Sequence, residues 1–455
     1  MVNAGYCLSR PVIRLLPGGG GVLLFLLLVS CATRPDVYKP VDQHVAEGNY
    51  IQAAAAIAEA QDSRKPVYPE KNAVMLFLDK GMLDHYAGNY AKSAGGLEEA
   101  ERLIADAYTK SVMLEIGTFI LNDNTREYAG EDYEDVYLNV FNALNYYNRG
   151  NVEEALVEVR KINGKLQALA VKYAKSIENA KRYADENGGY SGDNDDNDNE
   201  KYTFDDSALA RYLAALFWRG TGRADDARID LDALAEVYRV SPHVYDNPVP
   251  STVKDEYRVP PGEARLNFIA FTGLSPLKEE EITYIPLPFA FPHNTAKIAL
   301  PVIRDRPVRA VHVEAVIDGN ERLVLELVED MGKVMEETFK ARRSLIYVKT
   351  VVRTIVKASV AAGFHAMVAD EDESGWGGLL AGIVGRLFVE GTEAADTRSA
   401  RYFPRYAFVG GINLPPGEHA VTLNFYAGGS IVMTMQKTVQ ARENELNLVE
   451  AVCLK

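Results

Sequence analysis

The side chains that most often do chemistry in proteins are few in this chain and widely spaced. No two histidines stand three or four residues apart, so no helical metal pair can form. The sequence contains no motif of a nucleophilic serine (G-x-S-x-G), a phosphate-binding loop, a zinc protease (H-E-x-x-H) or a redox pair (C-x-x-C). It therefore predicts a protein that is not an enzyme and that uses no cofactor and no metal. The histidines are His44, His85, His243, His293, His312, His365 and His419.

An acidic stretch, residues 187–200 (NGGYSGDNDDNDNE), has the residue types of a calcium loop but not their spacing. A loop of the EF-hand type needs glycine at its sixth position and glutamate at its twelfth. Counted from Asp193, these positions hold Asp198 and Phe204. The stretch therefore predicts a solvated acidic loop rather than a metal site.

One cysteine has neighbours that point to a covalent reaction. Two arginines precede an eight-residue apolar run, residues 22–29, and Ser30 and Cys31 close it. This is the layout of a secretory signal, and the run is too short for a spanning helix, which needs about 20 residues. The sequence Leu28-Val29-Ser30-Cys31 resembles the lipobox of bacterial lipoproteins. The resemblance implies that residues 1–30 are a signal peptide and that Cys31 becomes a lipid-modified first residue. The alternative is an ordinary signal peptide followed by an accidental cysteine.

The residue after Cys31 predicts which membrane holds the lipid anchor. Ala32 is not the aspartate associated with retention at the inner membrane, so the resemblance implies a lipid anchor on the periplasmic face of the outer membrane. Residues 31–40 then form a short tether that two prolines interrupt. Cys453 would be the one cysteine left besides Cys31, so no disulfide within the mature chain is expected.

The charge balance limits the partners. The formal net charge is −15, and removal of residues 1–30 takes away two arginines and no acid, which leaves about −17. Binding to nucleic acid depends on phosphate neutralisation by Lys and Arg. The chain therefore predicts no nucleic-acid partner and no broad adsorption to anionic lipid.

Residues 41–240 carry a helical pattern that returns four times. In each copy a glycine ends one helix, and the next helix presents small or apolar residues at offsets 5, 9 and 12 from that glycine. Glycine suits the left-handed backbone at a helix end, and the offsets fall on one helical face. The copies are Gly48 with Ala53, Ile57 and Ala60; Gly88 with Ser93, Leu97 and Ala100; Gly150 with Ala155, Val159 and Ile162; and Gly222 with Ala227, Leu231 and Leu234.

This pattern resembles the helix-turn-helix unit of tetratricopeptide repeats. The resemblance predicts a TPR-like helical repeat array with a concave surface for a protein partner. The glycines lie 40, 62 and 72 residues apart rather than at the 34 of that family, so extra helices must separate the units. The alternative is an irregular helical domain with glycine-ended helices.

The periodicity changes after a proline-rich stretch, residues 241–262, which we interpret as a linker between domains. In residues 263–455 alternating patterns predict strands near 265–272, 281–285, 308–317, 322–328, 406–412, 419–426, 430–439 and 446–452, with a helix near 330–368 and a hairpin turn at 318–320. The predicted fold class is α+β, a helical repeat array followed by a mixed, strand-rich C-terminal domain.

Two segments of that domain are candidate interaction surfaces. On a helix Lys349, Arg353 and Lys357 form one basic stripe among apolar residues. The stripe faces a lipid surface, an anionic polymer or an acidic partner, or it is the solvated face of a core helix. Trp376 lies in the glycine-rich apolar segment 375–391, which predicts a close-packed helical hairpin or a lid that opens toward lipid.

An arginine-rich run, residues 392–405, follows this segment and predicts an ordered loop held by salt bridges, or a recognition surface. Together the lipobox, the helical half, the basic helix and the stretches EAADTRS (393–399) and LPPGEH (414–419) resemble an uncharacterised family of bacterial lipoproteins with helical repeats. That family accompanies envelope-assembly lipoproteins, including relatives of activators of penicillin-binding proteins. The resemblance implies a cell-envelope setting and assigns no chemistry.

Two functions agree with these observations. The first is a non-enzymatic scaffold that is anchored to the membrane by its N-terminal lipid and binds envelope proteins in assembly or maintenance of the envelope. The second is a periplasmic protein that acts on the wall and whose C-terminal domain binds peptidoglycan or another glycan.

Overall fold

The computed structural model describes residues 38–63, 66–113, 126–172, 206–286, 295–340 and 394–455, together with positions 343, 346, 347, 350, 351 and 354. The predicted signal peptide, Cys31, the tether up to residue 37 and the acidic stretch 187–200 lie outside these residues. So does the segment 375–391.

Paired helices make up the N-terminal half. In its described part eight helices form four pairs, and the second helix of each pair packs on the first helix of the next. The first helices are α1 (Lys39–Glu47), α3 (Ala73–Tyr86), α5 (Asp132–Asn148) and α7 (Ala208–Gly220). The second helices are α2 (Tyr50–Gln61), α4 (Tyr90–Met113), α6 (Val152–Lys172) and α8 (Ala224–Val240).

The glycine that ends each first helix behaves as predicted. Gly48, Gly88, Gly150 and Gly222 all have φ between 75° and 79°, the left-handed region that a side chain disfavours. In every pair the residue after the glycine donates its N–H to the carbonyl five residues earlier, as in a Schellman motif. The side chains at offsets 5, 9 and 12 are buried in all four copies except Ala60, which is half-buried. The short turns therefore fold each pair back on itself.

A mixed sheet forms the C-terminal half. Among the described residues seven strands lie in the order β8-β7-β4-β5-β6-β1-β9, antiparallel except for the parallel pair β1 and β9. A separate hairpin pairs β2 with β3, and β3 was not predicted from the sequence. The strands are β1 (Ala264–Leu274), β2 (Leu277–Pro286), β3 (Thr295–Arg304), β4 (His312–Ile317), β5 (Glu321–Asp330), β6 (Pro404–Leu414), β7 (Gly417–Ala427), β8 (Ser430–Ala441) and β9 (Asn447–Cys453).

The helices cover one face of this sheet, and the two halves share a core. On β1 alternate residues point to opposite faces. Ile269 and Phe271 pack with the helices, whereas Phe268 and Ala270 join a second core that residues of the other sheet strands complete. Residues 38–455 therefore form one compact unit whose main core contains residues of both the helices and the sheet.

The stretch 241–262 packs within this unit. It contains a short helix, α9 (Thr252–Asp255), and it buries Val244, Tyr245 and Val253 in the shared core. The predicted turn at 318–320 joins β4 to β5, and residues 331–340 are helical, as are the described positions up to 354. The α+β class is thus confirmed. No described helix is both long and apolar enough to cross a membrane.

Candidate functional site

The predicted interaction residues cannot be located in this structure. Lys349, Arg353, Lys357 and Trp376 all lie outside the described residues, as does Cys31. The arginine-rich run is described from residue 394 onward, and it makes polar contacts with the helical half.

Residues 394–403 form an irregular segment that contacts α1, α3 and α5 before the chain enters β6. The segment is neither helix nor strand, yet Ala395, Ser399, Ala400, Tyr402 and Phe403 are buried. Its partners come from α1, α3 and α5, the first helices of three successive pairs. We call this surface of α1, α3 and α5, together with Asn72 and residues 126–128 beside them, the inner surface.

Two carboxylates of the inner surface bind the main chain of the segment. The N–H of Ala400 donates to Glu134 Oε1 at 2.6 Å, and the N–H of Arg401 donates to Asp79 Oδ1 at 2.6 Å. About two turns further along α3, the Tyr86 hydroxyl donates to the carbonyl of Tyr402 at 2.8 Å. Backbone groups of an irregular segment need such partners when they are buried. The contacts therefore fix the path of the chain without depending on its side chains.

The Arg401 side chain occupies the first of two guanidinium sites. Its Nη2 donates to Asp42 Oδ2 at 2.9 Å, and its guanidinium carbon lies 4.2 Å from the ring centroid of Tyr38. The other oxygen of Asp42 accepts the hydroxyl of Tyr402 at 2.9 Å. An ion pair and a cation–π contact together select arginine over an uncharged side chain.

The Arg398 side chain occupies the second guanidinium site. It donates to Asn72 Oδ1 at 3.2 Å and to the Arg126 carbonyl at 2.8 Å, and its carbon lies 5.2 Å from the Tyr128 ring centroid. Asp396 in the segment itself adds an ion pair at 2.8 Å. The prediction of an ordered loop held by salt bridges is confirmed at these residues.

Helix geometry explains how Glu134 is placed. Glu131 and Glu134 form a capping box at the start of α5, so Glu134 Oε2 accepts the N–H of Glu131 at 2.9 Å. Acidic side chains are favoured in a first helical turn, where backbone N–H groups are unpaired. Glu134 also accepts the hydroxyls of Tyr128 and Tyr133. Glu131 in turn pairs with Lys278 of β2 at 2.6 Å.

Burial controls the protonation of both main-chain acceptors. Burial, followed by the charge of Glu131, raises the pKa of Glu134 to about 7. Burial also raises the pKa of Asp79 to about 6, although the Tyr68 hydroxyl and the N–H groups of the segment act in the opposite direction. Both pKa values rise because the carboxylate loses more hydration free energy on burial than the hydrogen bonds from its neutral donors restore.

A second group of buried carboxylates lies where α7 and α5 meet the sheet. Glu329 of β5 accepts the hydroxyls of Tyr137 at 2.6 Å and Tyr245 at 2.5 Å, and that of Ser207. Glu256 binds Arg265 of β1 at 2.8 Å and also Arg219 of α7. Both carboxylates are buried, and their partners come from the helices, from the sheet and from the stretch 241–262, so this group ties these parts together.

The inner surface binds an irregular segment of its own chain that carries two arginines. Carboxylates paired with N–H donors and guanidinium groups form the stronger class of hydrogen bonds. No group of three or more His, Cys, Asp or Glu side chains suited to a metal occurs among the residues that the structure describes. Sequence reasoning missed Asp42, Asp79 and Glu134, although two signals existed. Asp79 interrupts the apolar run Ala73-Val-Met-Leu-Phe-Leu, and Glu131-x-x-Glu134 has the acidic spacing of a capping box.

The site and fold define an α+β protein whose paired helices cover a mixed sheet. No protein-family model matches the chain, and no curated protein is similar to it. One solved structure shows a partial likeness, that of the Rap conjugation gene regulator of plasmid pLS20 in complex with the Phr* peptide. The identity is 14% and the TM-score is 0.21, over 45% of this chain and 52% of that one. The chain thus spans about half the length of that regulator, and a TM-score this low carries no argument about fold or function.

Proposed function

We propose that this protein is a lipid-anchored lipoprotein of the outer membrane that faces the periplasm and works as a non-enzymatic scaffold for envelope proteins. The lipobox sequence ending at Cys31 supports the anchor and the compartment. The proposal includes binding of protein partners in assembly or maintenance of the envelope, with no nucleic acid, metal or cofactor.

The observation that carries the scaffold proposal is the bound segment 394–403. It is held on α1, α3 and α5 through two main-chain N–H groups and Arg401, and Arg398 binds beside these helices. A surface with this ability within one chain has the chemistry needed to hold a segment of another protein.

We also propose that the helix pairs are TPR-like repeats. The support is the recurrence, in each pair, of a left-handed glycine with a Schellman hydrogen bond and of a buried stripe on the second helix. The predicted concave surface would then correspond to the inner surface, which in this chain the sheet and the segment cover.

In-cell crosslinking with affinity recovery tests the scaffold. The wild type and a Cys31→Ala variant are compared, with Cys7→Ala as a matched control because Cys7 lies within the predicted signal. We expect a discrete envelope protein with the wild type and Cys7→Ala, and its loss with Cys31→Ala. Recovery of sacculus fragments without protein would favour the glycan-binding alternative, and equal recovery from all three forms would contradict the anchored scaffold.

A further inference from the structure

A buried histidine lies where the helical half meets the last strand of the sheet. β9 pairs with β1, and the helices add hydrogen bonds of their own to it. The Tyr147 hydroxyl donates to the Leu446 carbonyl at 3.1 Å and accepts the N–H of Leu448 at 2.9 Å. Further along β9 the side chain of Glu450 meets His85 of α3. His85 and Glu450 thus connect the helical half with the sheet.

Both ring nitrogens of His85 face acceptors. Nε2 lies 2.6 Å from Glu450 Oε1, and Nδ1 lies 2.8 Å from Asn145 Oδ1. The amide of Asn145 is oriented by its NH2 group, which donates to Ser93 Oγ at 2.8 Å. The second oxygen of Glu450 accepts the NH2 group of Asn148 at 3.0 Å. A neutral imidazole has one N–H donor and satisfies one of the two acceptors, whereas the imidazolium satisfies both.

The surroundings of the ring exclude water and carry no charge of their own. The side chain of His85 is 1% exposed, and that of Glu450 is 10% exposed. The rings of Tyr86, Tyr90 and Phe141 stand edge-on to the imidazole, with centroids 5.2 to 5.7 Å away. Burial raises the pKa of Tyr86 well above its usual value and that of Tyr90 to about 12, so both hydroxyls stay neutral at neutral pH.

Glu450 is the one charged group that acts on the imidazole among the residues that the structure describes. Asp84, which precedes His85 in α3, accepts the NH2 group of Asn89 at 3.1 Å instead. Burial is the largest influence on His85 and by itself lowers its pKa. The charge of Glu450 and the hydrogen bonds with Glu450 and Asn145 outweigh burial and raise the pKa above its usual value.

We propose that His85 is held as the imidazolium and that its Nδ1 proton makes a pH-dependent link between the helical half and β9. With this proton in place, the ring joins α3 to Asn145 of α5 and to Glu450 of β9. When the pH rises, Nδ1 releases the proton to water and the hydrogen bond to Asn145 is lost. The ion pair with Glu450 then becomes a hydrogen bond between a neutral ring and a carboxylate.

The sign of the effect follows from the direction of the pKa shift. The folded pKa of His85 lies above its usual value, so the folded chain keeps a proton that the unfolded chain releases. The stabilisation is complete below about pH 6.5 and is lost as the pH rises through the folded pKa. The link needs neither a membrane anchor nor a partner.

Deuterium exchange at the imidazole C2 position tests the link at this residue. The exchange rate depends on protonation of the ring, and mass spectrometry of the peptide that contains His85 gives the titration midpoint in the full-length protein in detergent. We expect a wild-type midpoint above about 6.5. In Glu450→Gln it should fall by at least about one pH unit, because burial then acts without the opposite charge. Glu445→Gln, at an exposed position just before β9, should leave the midpoint unchanged.

Two outcomes of that titration would overturn the proposal. A wild-type midpoint below about 6.5 would mean a neutral ring whose Nδ1 accepts from a reversed Asn145 amide. Equal midpoints in the wild type and in a folded Glu450→Gln would mean that Glu450 does not hold the proton. The wild-type midpoint needs no substitution, so it decides the first question even if the variant fails to fold.

Urea unfolding measures what the proton contributes to stability. Asp79 and Glu134 titrate in a similar range, so the wild type is compared with His85→Gln, in which both carboxyl groups remain. The urea midpoint of the wild type should fall relative to that of His85→Gln as the pH rises from about 6 to about 9. A difference between the two midpoints that stays constant over this range would overturn the proposal.

Discussion

Two regions of the contact between helices and sheet use buried carboxylates in different ways. Around Glu329 and Glu256 the carboxylates bind side chains from α5, from β1 and from the stretch 241–262. Around Asp79 and Glu134 they bind the main chain of an irregular segment. The first region joins helices to the sheet through side chains. The second fixes the path of a segment through its backbone, and the segment also adds Ala400, Tyr402 and Phe403 to the core.

The largest effect on the free energy of unfolding is expected in the first region, at Glu329. Glu329→Ala removes the acceptor for the hydroxyls of Tyr137, Tyr245 and Ser207 and leaves them buried without it. We expect a loss of about 3 kcal/mol in the free energy of unfolding, measured by urea denaturation. Glu321→Ala, an exposed position on the same strand, should change it by less than about 0.5 kcal/mol. A loss near 1 kcal/mol for Glu329→Ala would show that the hydroxyls find other partners.

The second-largest effect is the pH dependence of stability that Glu134 and Asp79 give to the second region. The pKa of Glu134 rises to about 7 and that of Asp79 to about 6 in the folded chain, so the folded state keeps protons that the unfolded state releases. The stability from these groups is complete below their ordinary pKa values and is lost as the pH rises through about 6 to 7. From pH 5 to pH 8 the free energy of unfolding should fall by about 2 kcal/mol for Glu134.

The matched variant for that experiment is Glu134→Gln, which cannot titrate. Its free energy of unfolding should fall less steeply between pH 5 and pH 8 than that of the wild type, while thermal melts at both pH values show a folded chain. Identical slopes for the two proteins would mean that Glu134 keeps the same protonation in the folded and unfolded chain.

Asp79→Asn should have an intermediate effect that is local. The amide keeps one acceptor and places an NH2 group toward donors, so the hydrogen bonds from Arg401 and Tyr68 weaken. We expect a loss of about 1.5 kcal/mol and a faster exchange of the Arg401 amide. Asp62→Asn, at an exposed helix end, provides the control. A loss as large as that of Glu329→Ala, without faster local exchange, would remove the distinction between the regions.

The smallest effect is expected from Arg401→Lys. Lysine keeps the charge near Asp42 but gives up the planar stacking on Tyr38. We expect a loss of about 0.5 to 1 kcal/mol in thermal or urea unfolding. Arg228→Lys, in an exposed pair with Asp232, should be neutral within about 0.3 kcal/mol. Equal values for both would show that the ring contributes nothing to the first guanidinium site.

Local sequence rules predicted the elements well and the site poorly. The glycine turns and the stripes on the second helices follow from contacts within a few residues, and the structure shows them as predicted. β3 was missed although, among the residues that the structure describes, Thr295–Arg304 pairs with β2 along its length. The carboxylates of the inner surface were missed because each lies far along the chain from the segment it binds; Asp79 and Arg401 are 322 residues apart.

The sequence by itself determined the α+β class, the glycine-ended helix pairs, most strands and the turn at 318–320, since these depend on backbone conformation and on periodicity. It also predicts a lipid site at Cys31, because the residues that resemble a signal and a lipobox are contiguous in the chain. Only the tertiary structure decided that the helix pairs and the sheet share one core. It also decided that the arginine-rich run lies on α1, α3 and α5. The physical reason is that burial, and with it the partner of every buried charge, is a property of the packed chain and not of any local stretch.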